Sequence, residues 1–229
     1  MKNSYSLYKY AFTMLELVFV IMVMGIVAAV LIPRFDNSSH LRDAALQIVS
    51  DIRYTQHLAM NDDPISGSDS NWYKKRWTII FNHDNYTAGK MAYTIFADTS
   101  GTSSGNPDAT AEIAKNPLDA SKLLSGGYSG IGGLDIRNSN SFIGTKRYNI
   151  GSAYDIKEVR FSSACSYHLS KRIAFDHLGR PLKGNLSSYS LPYPSAGRIM
   201  SSQCQITLID QNDDNISIYI EPETGYAHL

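Results

Sequence analysis

The most constraining feature of this chain is one long apolar run near its N-terminus. Leu17 to Ile32 contain neither a charge nor a strongly polar group, and the run extends back to Phe12 with Thr13 and Glu16 as its only interruptions. A helix of about 21 residues is roughly 30 Å long, the thickness of a bilayer core. A secretory signal peptide would have a shorter apolar stretch and a small-x-small cleavage site. This run leads into a further helical pattern, which favours a membrane helix.

An amphipathic stripe continues the run. Apolar residues recur at helical spacing and charged or amide residues separate them, which predicts one buried helix face. The members of this stripe are Leu41, Ala44, Ala45, Ile48, Val49, Ile52 and Ala59. We therefore predict one helix over about 12–61, with a transmembrane half over 12–32. Gly25 and Pro33 lie inside it, and because proline lacks an amide proton, a kink is expected near Pro33.

Glu16 is the unusual residue of the apolar run. A carboxylate within a membrane helix costs about 2.5 to 3.5 kcal/mol on insertion scales, so it should have a partner and a function. A second interpretation needs no partner, because the positive end of a helix favours a negative charge in its first turn. The residue alone leaves both interpretations open.

Residues 11–35 resemble the processing segment of type IV prepilins and pseudopilins. That family has a basic leader, a cleavage site before a phenylalanine, a glutamate at mature position five, and an apolar helix with a glycine and a proline. Ala11 occupies the position before the cut, where the family usually has glycine. The matching residues are Lys2, Lys9, Phe12, Thr13, Leu15, Glu16, Gly25 and Pro33.

The resemblance implies processing, a location and partners. Prepilin peptidase would cut between Ala11 and Phe12 and N-methylate Phe12, and Glu16 would pair with the Phe12 amine of a neighbouring subunit in a helical filament. The expected protein is a single-pass inner-membrane protein of a Gram-negative type bacterium, with a cytoplasmic N-terminus. Its segments would be a leader over 1–11, a pilin-like helix over 12–62 and a periplasmic β-rich domain over 63–229.

The sequence after the N-terminal helix predicts an antiparallel sheet. Short β-rich segments alternate with turn signals, and long helical patterns are absent after the turn-rich Pro64–Ser70. The predicted strands are Arg76–Phe81, Met91–Ala97, Lys157–Phe161, Arg172–Phe175, Gln205–Ile209 and Ile216–Ile220. The expected class is α+β, with a long kinked helix packed on a mostly antiparallel β-sheet or β-sandwich. We interpret the Gly-, Ser- and Asn-rich stretch over 98–149 as a surface insertion with a short helix at Leu118–Leu124.

The C-terminal third of the sequence resembles one subgroup of this family. IAFDHLGRP at Ile173–Pro181, CQITLID at Cys204–Asp210 and ISIYIEPETG at Ile216–Gly225 resemble minor pseudopilins of the FimT and type II secretion H-subunit kind. About residues 62–155 have no counterpart in this comparison.

Cys165 and Cys204 are the only cysteines. Outside the cytoplasm an even pair favours a disulfide, and two buried thiols are the alternative.

Two further motifs could carry binding chemistry. The first motif has the spacing of a calcium-binding loop: Asp210, Asn212 and Asp214 occupy its positions one, three and five, and Glu221 occupies position twelve. Asn215 stands where that loop requires glycine, and a predicted strand follows where the loop would lead into a helix. We favour a polar hairpin turn and predict no metal.

The segment Trp72–Trp77 mixes Lys74, Lys75 and Arg76 with three aromatic residues. This composition suits a nucleic-acid site, because aromatic rings stack on bases and cations neutralise phosphates. We favour the alternative, a solvated segment that leads into a strand and buries its tryptophans.

The chain has 21 basic and 21 acidic side chains, so it lacks the excess of positive charge that is typical of proteins that coat nucleic acids.

The sequence contains no catalytic motif and no histidine spacing typical of a metal site, so we predict neither an enzyme nor a cofactor. The favoured function is a minor pseudopilin of a type II secretion pseudopilus. Alternatives are a minor pilin or pseudopilin of a type IV pilus or DNA-uptake system, and a membrane-tethered binding protein that does not polymerise.

Overall fold

The structure, a computed structural model, describes residues 13–62, 69–100, 104–193 and 197–229, with the backbone alone over 30–38. Helix α1 spans Met14–Asn61. It is the helix that the apolar run and the stripe predict, and its backbone stays helical at Gly25 and at Pro33. A change of direction at Pro33 stays a prediction.

The chain divides into two compact units, one ending at Ser39 and one beginning at His40. This division falls inside α1, whereas the sequence analysis places the segment boundary after residue 62. The reason is that the amphipathic stripe of α1 belongs to the core of the second unit. Among the described residues, we find no helix with both the length and the apolarity to cross a membrane. The transmembrane half predicted over 12–32 is thus not supported here.

Short strands build the second unit. In chain order they are β1 Thr78–Asn82, β2 Ala92–Phe96, β3 Lys115–Asn116, β4 Asp119–Leu123, β5 Ile156–Phe161, β6 Arg172–Phe175, β7 Pro181–Lys183, β8 Cys204–Asp210, β9 Asn215–Ile220 and β10 Ala227–His228. A one-turn helix, α2, covers Ile150–Ala153, and 3₁₀ turns cover Trp72–Lys74, Asn85–Thr87, Thr110–Glu112, Lys146–Tyr148 and Leu186–Ser188.

The strands form two four-stranded sheets, ordered β2-β1-β6-β7 and β10-β9-β8-β5, and a separate β3-β4 hairpin. Their pairings are antiparallel, as in the hairpin that aligns Thr78 with Phe96 and Asn82 with Ala92. The antiparallel α+β class and all six predicted strands are therefore confirmed. The sequence did not predict β3, β4, β7 and β10, most of which are too short to show a period.

The core of the second unit lies between α1 and both sheets. Ile48 and Ile52 of α1 are fully buried in one cluster with Ile79 of β1 and with Ile206 and Ile218 of the other sheet. Burying such a side chain contributes about 1.5 to 3 kcal/mol. The predicted apolar stripe is buried at every member, which confirms that one face of α1 joins the globular core.

The segment over 98–149 is not the surface insertion that its composition suggests. Ile113, Leu123 and Leu134 from this segment are buried in a cluster with Ile80 and Phe96 of the first sheet. The predicted helix at Leu118–Leu124 is also wrong, because strand β4 occupies Asp119–Leu123. Pairing explains the difference, since the amide of Leu124 donates to the Ala114 carbonyl at 2.8 Å and a cross-strand contact overrides local helix propensity.

Candidate functional site

Helix α1 begins with a side-chain cap. The hydroxyl of Thr13 accepts a hydrogen bond from the Glu16 amide at 3.3 Å, which satisfies one of the free amides of a helix start. Glu16 is exposed in the first turn, where the helix dipole favours a negative charge. This geometry suits the interpretation that needs no partner, and the filament role of Glu16 stays a prediction. The predicted processing residues Ala11 and Phe12 lie outside the described residues.

An exposed apolar surface follows this cap. Large apolar side chains of the first unit are between 45% and 85% exposed: Met14, Leu15, Leu17, Val18, Phe19, Val20, Ile21, Met22, Val23, Met24, Ile26 and Val27. Gly25 lies among them with open space at its missing side chain. Monomeric soluble proteins rarely expose a contiguous apolar surface of this kind, so it calls for an apolar environment or a partner.

A cleft of about 840 Å³ opens beside the second half of α1. Leu46, Ser50 and Tyr54 of the helix line one side, and the β3-β4 turn and the 145–148 segment line the others. Leu118 at that turn is almost fully exposed. The cleft therefore combines an apolar rim with a polar wall.

Asp51 lies in this wall and receives two phenol hydrogen bonds. The Tyr93 hydroxyl donates to Oδ2 at 2.5 Å, and the Tyr148 hydroxyl donates to Oδ1 at 2.9 Å. Burial raises the pKa of Asp51 to about 6, against the lowering effect of both phenols and of Arg147. Burial and the nearby Asp51 charge raise the pKa values of both tyrosines. Asp51 can therefore take up a proton in mildly acidic conditions.

Further side chains extend the network around Asp51. The Gln47 amide donates to the Tyr93 hydroxyl at 2.6 Å, the Tyr154 hydroxyl donates to Gln47 Oε1 at 2.7 Å, and Arg147 Nη2 donates to the Tyr154 hydroxyl at 2.7 Å. The network ties α1 to β2 and to the 147–154 segment. The sequence analysis did not single out Asp51; the available signal was its position three residues after Ile48, beside the buried stripe.

The basic and aromatic side chains of Trp72–Trp77 contact other residues of the protein. Arg76 is 3% exposed, lies over the rings of Trp72 and Tyr193 at 5.4 and 4.8 Å, and donates from Nη1 to the Pro192 carbonyl at 2.9 Å. The Lys75 ammonium pairs with Asp69 at 2.6 Å.

Trp77 donates its ring N–H to Asp62 at 2.9 Å, and Lys74 lies 5.9 Å from the Tyr73 ring centre. These contacts favour a structural role for Trp72–Trp77 over a stacking platform for bases. The expected burial of the tryptophans is wrong, because Trp72 and Trp77 are half-buried and the buried side chains of the segment are those of Tyr73 and Arg76.

Cys165 and Cys204 form the predicted disulfide. Both residues are fully buried, and Cys204 begins β8. The bond connects the loop after β5 to the edge of β8, so it closes a loop that contains β6 and β7.

The predicted calcium-loop residues form a hairpin turn between β8 and β9. Asp210 Oδ1 accepts the amides of Asn212 and Asp214 at 2.8 and 2.9 Å. Glu221 instead contacts Gln203 and His228, at 2.6 and 3.0 Å. Within the described part of the chain, these carboxylates do not gather as a metal-binding group. The favoured hairpin interpretation is confirmed.

Comparison with known proteins yields no relative: no protein-family model, curated protein or solved structure matches the chain.

Proposed function

We propose that the chain is a minor pseudopilin, a structural subunit of a type II secretion pseudopilus that prepilin peptidase processes and N-methylates. One observation carries the proposal. Helix α1 is continuous from Met14 to Asn61, its first half exposes apolar side chains, and its second half is buried in a two-sheet domain. A filament subunit needs such a helix, because lipid can cover the apolar surface before assembly and neighbouring helices can cover it afterwards.

The proposal assigns the 12–32 segment to the inner membrane, the N-terminus to the cytoplasm and the sheet domain to the periplasm. The disulfide between Cys165 and Cys204 supports the last assignment, since disulfides persist mainly in oxidising compartments.

In this proposal Glu16 pairs with the methylated Phe12 amine of a neighbouring subunit. Each charge is costly in an apolar surrounding, and each lowers the cost of the other when the register between subunits brings them together. The pair would thus select one register.

Mass spectrometry tests the processing. Co-expression with active prepilin peptidase should remove residues 1–11 and leave a methylated Phe12, whereas an inactive peptidase should leave Met1 in place. An Ala11→Leu variant should resist cleavage because the bulky side chain replaces a small one, and Ala11→Gly should be cut like the wild type. An uncut wild-type chain in the presence of active peptidase would contradict the proposal and favour a simple membrane tether.

Incorporation into filaments tests the assembly role. Glu16→Gln should be processed yet absent from sheared filaments, and the matched control Glu223→Gln, which removes an exposed charge from the globular domain, should be incorporated normally. Normal incorporation of Glu16→Gln would refute the pairing. Gene deletion then separates the alternatives: loss of protein export supports secretion, and loss of transformation alone supports the DNA-uptake system.

A further inference from the structure

Three carboxylates meet in the segment that follows β2. Asp98, Asp108 and Glu112 each bring an oxygen within 4.8 Å of the other two. Asp98 and Glu112 are only 2% and 3% exposed, whereas Asp108 is exposed and opens the cluster to solvent. The group is therefore a mostly buried anionic cluster with one accessible side.

One oxygen of this cluster has no partner. Asp98 Oδ2 accepts the Gly105 amide at 2.5 Å, but Asp98 Oδ1 is buried without any hydrogen-bond donor. A buried carboxylate oxygen in that state is costly, because it has lost water and gained nothing in return. This unsatisfied oxygen is an observation separate from the clustering of charge, and it leaves room for a ligand that carries a positive charge or a donor.

Cationic side chains lie near Asp98, but none of the described ones donates a hydrogen bond to its carboxylate. Lys74, Arg76 and Arg172 line a small cavity with Asp98, and the described hydrogen bonds of Arg76 and Arg172 go to other residues. Lys75 is the cation whose field acts on Asp98, and its ammonium is already paired with Asp69 at 2.6 Å. Burial raises the pKa of Asp98, and the nearby carboxylates of Glu112 and Asp108 raise it further. A cation bound among the three carboxylates would offset this repulsion.

The backbone holds the carboxylates together without using up their capacity. Glu112 Oε1 accepts the Ser100 amide at 2.6 Å, and Oε2 accepts the amides of Asp108 and Ala109 at 2.6 and 3.2 Å. Each carboxylate oxygen has more than one lone pair, so it can accept an amide and also bind a cation. The cluster is pre-organised by the same loop that carries it.

We propose that Asp98, Asp108 and Glu112 bind a divalent cation, with calcium as the preferred ion. Calcium takes oxygen ligands in flexible geometries and accepts carboxylates supplied by an irregular loop, whereas magnesium demands a near-ideal octahedron. The ion would fix the loop over 104–112 against the end of β2, where Phe96 and Ile113 already form a bridge. The proposal is independent of pseudopilin function and differs from the 210–221 hairpin.

Calorimetric titration of the full-length, EDTA-treated chain with calcium chloride tests the proposal at neutral pH. We expect one calcium ion per chain and a higher unfolding temperature with calcium than with EDTA. Asp98→Asn and Asp108→Asn should each weaken binding more than about tenfold, since each removes a charged ligand. The control Asp214→Asn removes a carboxylate from the β8-β9 turn and should bind calcium as the wild type does.

If Asp98→Asn fails to fold, Asp108→Asn still tests the proposal, because Asp108 is exposed and its substitution should not disturb folding. Absence of calcium uptake would overturn the proposal, and so would uptake that Asp108→Asn leaves unchanged or that Asp214→Asn abolishes. The proposal would also be overturned if Asp98→Asn were more stable than the wild type and the wild type bound no calcium. That outcome would mean that a proton, and not a metal ion, neutralises Asp98.

Discussion

Asp51 offers the sharpest test of how the polar network contributes to stability. Its carboxylate is held between Tyr93 and Tyr148, and burial raises its pKa from 3.8 to about 6. The folded chain therefore binds this proton more tightly than the unfolded chain. Stability from this group increases as pH falls through about 6, and the increase is complete below the unfolded value.

The magnitude follows from the size of the pKa shift. A shift from 3.8 to about 6 corresponds to about 3 kcal/mol, because each pKa unit is worth about 1.4 kcal/mol. Asp51 remains partly exposed at the cleft, so this figure is an upper limit. The sign is opposite to that of an ion-paired aspartate, whose pKa is lowered and whose contribution is lost in acid.

The assay is urea unfolding of the full-length chain in detergent, followed by tryptophan fluorescence between pH 4 and pH 8. Asp51→Asn removes the titrating group, so the wild type should gain stability relative to this variant as pH falls, by up to about 3 kcal/mol. Asp43→Asn, an exposed site on the same helix, should run parallel to the wild type. A wild-type minus Asp51→Asn difference that is flat over this range would refute the reasoning.

Other predictions follow from the disulfide, the core and the buried arginine. Cys165→Ser should lower the free energy of unfolding by about 4 kcal/mol, because the lost crosslink no longer restricts the unfolded chain; a wild-type midpoint unaffected by reductant would contradict this. Ile52→Ala should cost about 2 to 5 kcal/mol in urea unfolding, whereas exposed Leu46→Ala should cost less than about 0.5 kcal/mol. Arg76→Ala should lower thermal stability through lost ring and carbonyl contacts, by about 1 to 3 kcal/mol, while Lys74→Ala should leave it nearly unchanged. Equal effects at positions 76 and 74 would count against the buried role of Arg76.

Local periodicity explains what could be predicted from the sequence. The apolar run and the stripe over 41–59 predict α1, because an uninterrupted helical period needs no distant information. The six predicted strands are confirmed because each is a short segment that contains β-branched or aromatic residues and is bounded by turn signals. Ile216–Ile220 also alternates isoleucine with polar or aromatic residues. The disulfide needed only an even cysteine count and an assumed compartment.

Long-range pairing explains what could not be predicted. Asp119–Leu123 carries residues that tolerate a helix, yet contact with the 113–116 segment makes it a strand. The Gly- and Ser-rich composition over 98–149 concealed Ile113 and Leu134, which are buried against the first sheet.

The functional chemistry depended on tertiary structure even more strongly. Asp51 meets Tyr93 and Tyr148 only because α1 packs across strands and turns that lie far along the chain. Asp98, Asp108 and Glu112 have no recognised metal spacing, and a loop held by backbone amides brings them together. The sequence by itself determined helix α1 and six of the ten strands described, because those elements follow from short-range patterns. Only the tertiary structure decided which charges share one buried space, because burial and proximity are properties of the folded chain.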